Sequence, residues 1–172
     1  SVLLITFFLT IIFDLTVAIE VGLIIACLLF MKRMAETTDV KAILDEIDPN
    51  DETDLKLENN EHLLIPKGVE VYEINGPYFF GIASKFDDIM ATMEKRPKVR
   101  IIRMRRVPFI DSTGMHNLTN LIAMSKKENI KIILSGVNDY VHGVLVKNGF
   151  EELVGKENIC PNINAALEQA KK

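Results

Sequence analysis

Asp111, Ser112, Thr113 and Gly114 stand together in the run VPFIDSTGMHNL, where an apolar stretch closes on an acid and two hydroxyls before a helical pattern begins. An acid beside hydroxyls can serve a nucleophile, accept a phosphate, or simply start a helix. Nucleophilic catalysis requires a base within hydrogen-bond reach. His62, His116 and His142 are far apart in sequence and lack metal-ligand spacing. The chain has no G-x-S-x-G elbow, no G-x-G-x-x-G and no G-x-x-x-x-G-K-[ST] phosphate loop. An aspartic protease follows its acid with one hydroxyl residue and glycine, whereas two hydroxyl residues intervene here. The expectation is therefore a protein that is not an enzyme, with no catalytic residue, no cofactor and no metal site.

What remains is the helix start. The strand expected over Val99 to Val107 ends, Pro108 and Phe109 connect, and Asp111 or Ser112 caps a helix running from Ser112 to Asn129. Its core side is expected to carry Met115, Leu118, Ile122 and Met124. Unpaired N–H groups and the positive end of the helix dipole favour an anion at such a place. A phosphate on Thr113 or Ser112 would be that anion, with the neighbouring Asp111 opposing it. The plainer alternative is that Asp111 and Ser112 only cap and Gly114 only allows close packing.

Two other groups of residues could do chemistry. Arg100, Arg103, Arg105 and Arg106 crowd one strand, with Arg103 and Arg105 on one face and Arg106 on the other. They could form an anion or protein-docking patch; solvated or salt-bridged arginines, with an acidic segment nearby, are the expectation. Glu20 lies inside an apolar run, where an acid is costly unless it faces protein or water. It is a candidate intramembrane acid in an ion pathway, or a group close enough to the interface to be hydrated.

The elements that position these residues fall into three parts. From Ser1 to Met31 only Asp14 and Glu20 are charged. As one helix that run would extend about 46 Å, more than the roughly 30 Å core of a bilayer. Asp14 divides it into a short first piece, Val2 to Phe13, and a second, Leu15 to Met31, that approaches spanning length. Residues 1–33 thus read as the end of one membrane helix, a polar turn and a last transmembrane helix. A signal peptide fits poorly, since the start is not basic and acids interrupt the run. Lys32 and Arg33 follow at once, which places what comes after them in the cytoplasm.

Residues 34–62 carry ten acids against two lysines, with Pro49-Asn50 in the middle, and are expected to form a partly helical, solvated acidic tether. The stretch DPNDETDLKLEN lacks the glycine that a calcium loop needs in its turn.

Residues 63–172 read as an α/β unit. Strands are expected over Val69 to Asn75, Tyr78 to Ala83, Val99 to Val107 and Ile130 to Gly136, the first two as a hairpin. Helices are expected over 84–96, from Ser112 to Asn129, from Asp139 to Lys147 and from Asn164 to Lys172. Alternation of this kind implies a mixed, largely parallel sheet.

Composition removes further classes. The formal charge of −4 and a pI ≈ 5.4 argue against nucleic-acid binding, which would want a basic face that raises a domain's pI above roughly 9. Cys27 and Cys160 are too few and too far apart for a disulfide framework or a thiolate metal site. The chain starts with Ser1 rather than methionine, so a fragment of a longer protein is expected.

The order FDLTVAIEVGLIIA, then MKRM, an acidic stretch and RMRRVPFIDSTGMHNL resembles the C-terminal end of a SulP-family anion permease with its cytoplasmic STAS domain. The likeness covers nearly the whole chain and is weakest from Glu36 to Leu63. It implies a STAS-type mixed β-sheet packed with helices and preceded by a membrane segment. It also implies a multi-pass parent in the cell (inner) membrane that moves sulfate, bicarbonate or a related anion. STAS domains are similar to anti-sigma-factor antagonists, in which a partner kinase phosphorylates the second hydroxyl residue of the loop. That position here is Thr113, with Asp111 its neighbouring acid. Such permeases are usually homodimers, and their substrate site lies in a part of the protein that precedes this segment. The resemblance therefore implies regulation, dimerisation or partner docking by the STAS domain, membrane lipid contact through residues 1–31, and no transport by this piece alone. The alternative it leaves is a membrane-tethered signalling switch controlled by phosphorylation of the loop.

Overall fold

In a computed structural model of the chain, residues 2–12, 14–37, 39–43, 46–47, 63–79 and 97–172 are described. Two units are distinguished, Ser1–Thr37 and Thr38–Lys172.

The first unit is a pair of helices, α1 (Val2–Ile12) and α2 (Leu15–Thr37). Asp14 separates them for a local reason: its Oδ1 accepts the Leu15 N–H at 2.7 Å and its carbonyl accepts the Ala18 N–H at 3.1 Å. The acid thus takes two of the amides that a helix start leaves without an intrahelical acceptor. The stretch Leu15–Arg33 is long and apolar enough to cross a membrane. The helix does not stop at Met31, as expected, but runs on to Thr37. The two helices touch through small residues: Ala18 and Gly22 are buried, and a Cβ on Gly22 would collide with Thr6 Cγ2.

The second unit contains β1 (Asp39–Ile43), β2 (Glu46–Ile47), β3 (Leu63–Leu64), β4 (Val69–Asn75) and β5 (Val99–Arg106). Then follow α3 (Ser112–Lys127), β6 (Lys131–Ser135), α4 (Asp139–Lys147), α5 (Phe150–Val154), a 3-10 turn (Lys156–Asn158), β7 (Ile159–Cys160) and α6 (Ile163–Ala170). The main sheet has the order β1-β4-β5-β6-β7, with β4 to β7 parallel and β1 antiparallel at the edge. A mixed, largely parallel sheet was the expectation, and it is what forms.

Strand periodicity sorts the apolar side chains onto two faces. Tyr72, Ile74, Ile102, Met104, Ile132 and Leu134 pack with α3 and α4 through Leu118, Leu121, Ile122, Val141 and Leu145. Val71, Val99, Ile101 and Ile133 pack on the other side with Ile163, Ala166 and Leu167 of α6. Both faces of the central strands are therefore covered, which is why β6 reads as a near-continuous apolar run, while β5 interleaves its apolar residues with arginines.

Three expectations are corrected here. Asp39–Ile43, placed in the acidic tether, is an edge strand in register with Val71–Asn75. Val40 alternates inward to 5% exposure, and β4 supplies the ladder that the segment's composition concealed. Tyr78 does not hairpin onto β4; it makes an isolated parallel bridge to Ile110. The rest of that expected strand, the helix over 84–96 and most of the tether fall outside the described residues. Met124 is 54% exposed, while Leu121 and Ser125 are buried in its place. At 100° per residue, Met124 lies about 180° round the helix from Met115.

Candidate functional site

The IDSTG loop is built by the exit of β5 and the entry of α3. After Arg106 the backbone is stitched to the segment that follows β4. The Gly76 N–H donates to the Arg106 carbonyl at 3.1 Å, and the Tyr78 N–H to the Phe109 carbonyl at 3.0 Å. The Asp111 N–H then returns a bond to the Tyr78 carbonyl at 3.3 Å. From the other side, Asn138 Nδ2 donates to the Val107 carbonyl at 2.6 Å while Asn138 Oδ1 caps α4 by accepting the Val141 N–H at 2.8 Å. The Phe79 and Phe109 rings stack with centroids 6.1 Å apart. The loop is thus held by backbone and cap hydrogen bonds on two sides.

Asp111, not Ser112, is the N-cap of α3. Its backbone is extended, and Oδ1 accepts the Gly114 N–H at 2.6 Å. Ser112 and Thr113 therefore occupy the first two helical positions, and both side chains are exposed. Gly114 is buried because the first turn of α3 presses directly on the Tyr78 backbone. Replacing Asp111 by alanine should cost about 1 kcal/mol, and by asparagine much less, since asparagine still caps. Urea denaturation of the two variants measures the difference; equal losses would mean that the cap is not what Asp111 contributes.

Beside the hydroxyls lies a cleft of about 440 Å³, lined by Ile110, Asp111, Ser112, Met115, His116 and Phe150 among others. Serine, histidine and aspartate meet here, but not as a nucleophile assembly. A triad needs the carboxylate on one ring nitrogen and the hydroxyl on the other. His116 Nε2 instead lies 3.0 Å from Asn120 Nδ2, and Asp111 Oδ1 is taken by Gly114. His142 is on α4, and His62 falls outside the described residues. Among the described residues no group of three or more His, Cys, Asp or Glu side chains could hold a metal ion.

The arginines do not gather at the loop. Arg100 and Arg103 are buried, and their acidic neighbours come from β4 rather than from the acidic segment. Glu70 is in register with Arg100 and Glu73 with Arg103. Arg103 Nη1 is 3.3 Å from Glu73 Oε1, and Arg100 Nη2 is 3.8 Å from Glu70 Oε2. Arg100 Nη1 also donates to Ser125 Oγ of α3 at 2.9 Å, and its guanidinium lies over the Tyr72 ring. Burial, reinforced by the hydrogen bond to Glu70, pushes the Tyr72 phenol well above its ordinary range. Of the four arginines on β5 only Arg106 is exposed, and it is bonded to Asn75 Oδ1 at 3.4 Å. Glu20 sits on α2, in the other unit, with its side chain exposed there.

Sequence reasoning found the acid, the hydroxyls and the glycine. It missed Tyr78, whose carbonyl both orders Asp111 and crowds Gly114, because backbone pairing leaves no mark on residue type. Asn138 did carry a signal, an Asn directly before an expected helix.

A four-stranded parallel array with one antiparallel edge, helices on both faces and an Asp-capped hydroxyl loop after the second parallel strand defines a STAS-type domain. The chain belongs to the STAS domain family, whose profile matches residues 62–166. Among curated proteins it is 31% identical over 154 residues to YvdB of Bacillus subtilis (strain 168), named as a candidate sulfate transporter, covering 89% of this chain and 27% of that protein. A crystal structure of a sulfate transporter family protein from Wolinella succinogenes aligns with a TM-score of 0.60 at 46% identity, over 63% of this chain and 89% of that one. The murine anion transporter Slc26a9, inward-facing, shares the fold with a TM-score of 0.71 at 21% identity, over 99% of this chain and 28% of that one. The chain spans about a quarter of the length of the curated sulfate transporters it matches. A structure of a SulP transporter STAS domain from Vibrio cholerae aligns as well, with a TM-score of 0.56 at 38% identity over 62% of this chain and 83% of that one.

Proposed function

We propose that this chain is the C-terminal part of a SulP-type inorganic anion transporter for sulfate, bicarbonate or a similar ion. In this reading α1 and α2 close the membrane portion, and the STAS domain works from the cytoplasmic side, a reading supported by Lys32 and Arg33 directly after the apolar stretch. The domain regulates the transporter, within a homodimer, by docking a partner at the IDSTG loop.

The observation that carries the docking role is the exposure of Ser112 and Thr113 at the first two positions of a 16-residue helix, on a loop fixed from both sides. A hydroxyl held there can be modified without unfolding its surroundings. A phosphate on Thr113 would meet the positive end of α3 and the like charge of Asp111, and it would change the rim of the adjoining cleft.

Mass spectrometry of the full transporter, isolated from its own cells, should find phosphate on the tryptic peptide that contains residues 111–114. Thr113→Ala should remove it while leaving stability within about 0.5 kcal/mol, as expected for an exposed side chain. Uptake of labelled sulfate should then lose its response to growth conditions but not its maximal rate. An unphosphorylated loop under every condition, with unaltered regulation in the variant, would sink the switch and leave only unmodified docking.

A further inference from the structure

The cleft beside the hydroxyls has a floor and a rim of different chemistry. Ile110, Met115, Val144 and Phe150 make the floor, and all but Val144 are buried. Ser112, His116 and Thr119, at i, i+4 and i+7 on one face of α3, form part of the rim. Asp111 and Asn148, the C-cap of α4, complete it.

The rim has turned its side-chain donors inward. Thr119 Oγ1 donates to the Met115 carbonyl at 2.8 Å, and Asn148 Nδ2 to the Val144 carbonyl at 2.8 Å. What these two side chains still offer a ligand is acceptors, the lone pairs of Thr119 Oγ1 and of Asn148 Oδ1. Asp111 uses Oδ1 for the Gly114 N–H, while Oδ2 makes no hydrogen bond among the described residues. Among those residues Asp111 is also the one charged side chain on the cleft, and no lysine or arginine lines it.

An anion fits this lining poorly, since Asp111 would repel it and no basic side chain would hold it. A wholly apolar group would strip water from a carboxylate and an amide without replacing their hydrogen bonds. A long side chain with an apolar stem and a cationic, donor-rich head suits both floor and rim. The positive end of α3 is already met by the Asp111 carboxylate, whereas the C-terminal end of α4 at Asn148 favours a cation. Arginine offers several donors in a planar fork, where the lysine ammonium acts as a point charge.

We infer that the cleft seats an arginine side chain of the docking partner, its stem on the apolar floor and its guanidinium against the Asp111 carboxylate and the rim acceptors. The inference rests on the docking role given above and names the group that a partner must bring to the IDSTG loop. A phosphate on Ser112 or Thr113 would add negative charge to the same rim and hold the arginine more tightly.

Methionine-methyl NMR of the 172-residue chain in lipid nanodiscs tests this. Met115 lies in the cleft, and Met124, exposed on the other side of α3, is the internal control. The probe is N-acetyl-arginine N-methylamide at millimolar concentration, with the norleucine and glutamate analogues for comparison. The arginine compound should shift the Met115 methyl saturably and leave Met124 in place. Asp111→Asn, which keeps the cap and removes the charge, should weaken that binding about threefold. Equal binding of norleucine, tighter binding of glutamate, the absence of a saturable shift, or an Asp111→Asn variant with unaltered affinity would each overturn the inference. Phosphate mapping on residues 111–114 reads the switch separately, so the arginine seat can fail while the loop is still modified.

Discussion

Replacing Gly114 by alanine should destabilise the STAS domain by about 1–3 kcal/mol, the range in which overpacking of a well-packed core falls. In most helices the same change has the opposite sign, because alanine loses less backbone entropy on folding than glycine does. Here the added methyl has no space. It would run into the Tyr78 carbonyl oxygen and lie 2.9 Å from the Tyr78 carbonyl carbon. Neither atom can swing aside as a side-chain end could. The Tyr78 carbonyl also accepts the Asp111 N–H and the Tyr78 N–H donates to Phe109, so relief of the clash must break the stitch that holds the loop. Gly143 supplies the control. It lies within α4 with nothing within 4 Å of an added Cβ. Gly143→Ala should stabilise the domain by about 0.5–1 kcal/mol. Denaturant midpoints for the two variants should therefore move in opposite directions. A stabilising Gly114→Ala would show that α3 does not press on the Tyr78 backbone.

The same contact shows what sequence could and could not disclose. Both ends of Val69–Asn75 and of Asp139–Lys147 were legible, because periodic apolar residues met strong breakers, Gly76-Pro77 after the first and Asn148-Gly149 after the second. Gly149 stands at φ +74, a conformation that residues with a Cβ rarely adopt, and so separates α4 from α5. The edge strand Asp39–Ile43 was not legible. Only its pairing with β4 distinguishes it from the acidic residues around it. The five residues of α5 and the two of β7 are too short to show a period. The hydroxyl loop was readable as a helix start, though not which residue capped it. The arginines were the least readable. Glu70 and Glu73 repeat the three-residue spacing of Arg100 and Arg103, but that match acquires meaning only once β4 and β5 lie parallel and in register.

That register underlies the second large effect. Glu73→Ala should cost about 3–5 kcal/mol, the usual loss when one member of a buried ion pair is removed. The Arg103 side chain is 2% exposed and that of Glu73 9%, so water cannot take the place of the missing carboxylate. Most of the loss comes from the charge left behind, not from the attraction removed. Changing both residues, Glu73→Ala with Arg103→Met, should therefore recover much of the stability that the single change loses. The Glu70–Arg100 pair should respond less to loss of its acid. Its ions are further apart, and Arg100 keeps Ser125 Oγ and the Tyr72 ring as partners when Glu70 is gone. Urea unfolding of Glu73→Ala, Glu70→Ala and the double variant gives the ordering. A double variant as unstable as Glu73→Ala would mean that the attraction within the pair, and not the cost of a buried guanidinium that has lost its carboxylate, holds β4 to β5. The three-residue step puts the two pairs on opposite faces of the sheet, so Glu73–Arg103 fixes the register from one side and Glu70–Arg100 from the side that carries α3. A slip of one residue between β4 and β5 would separate both buried acid–arginine pairs. Through that penalty the paired charges set where β5 ends, and hence where the Asp-capped loop that follows it begins.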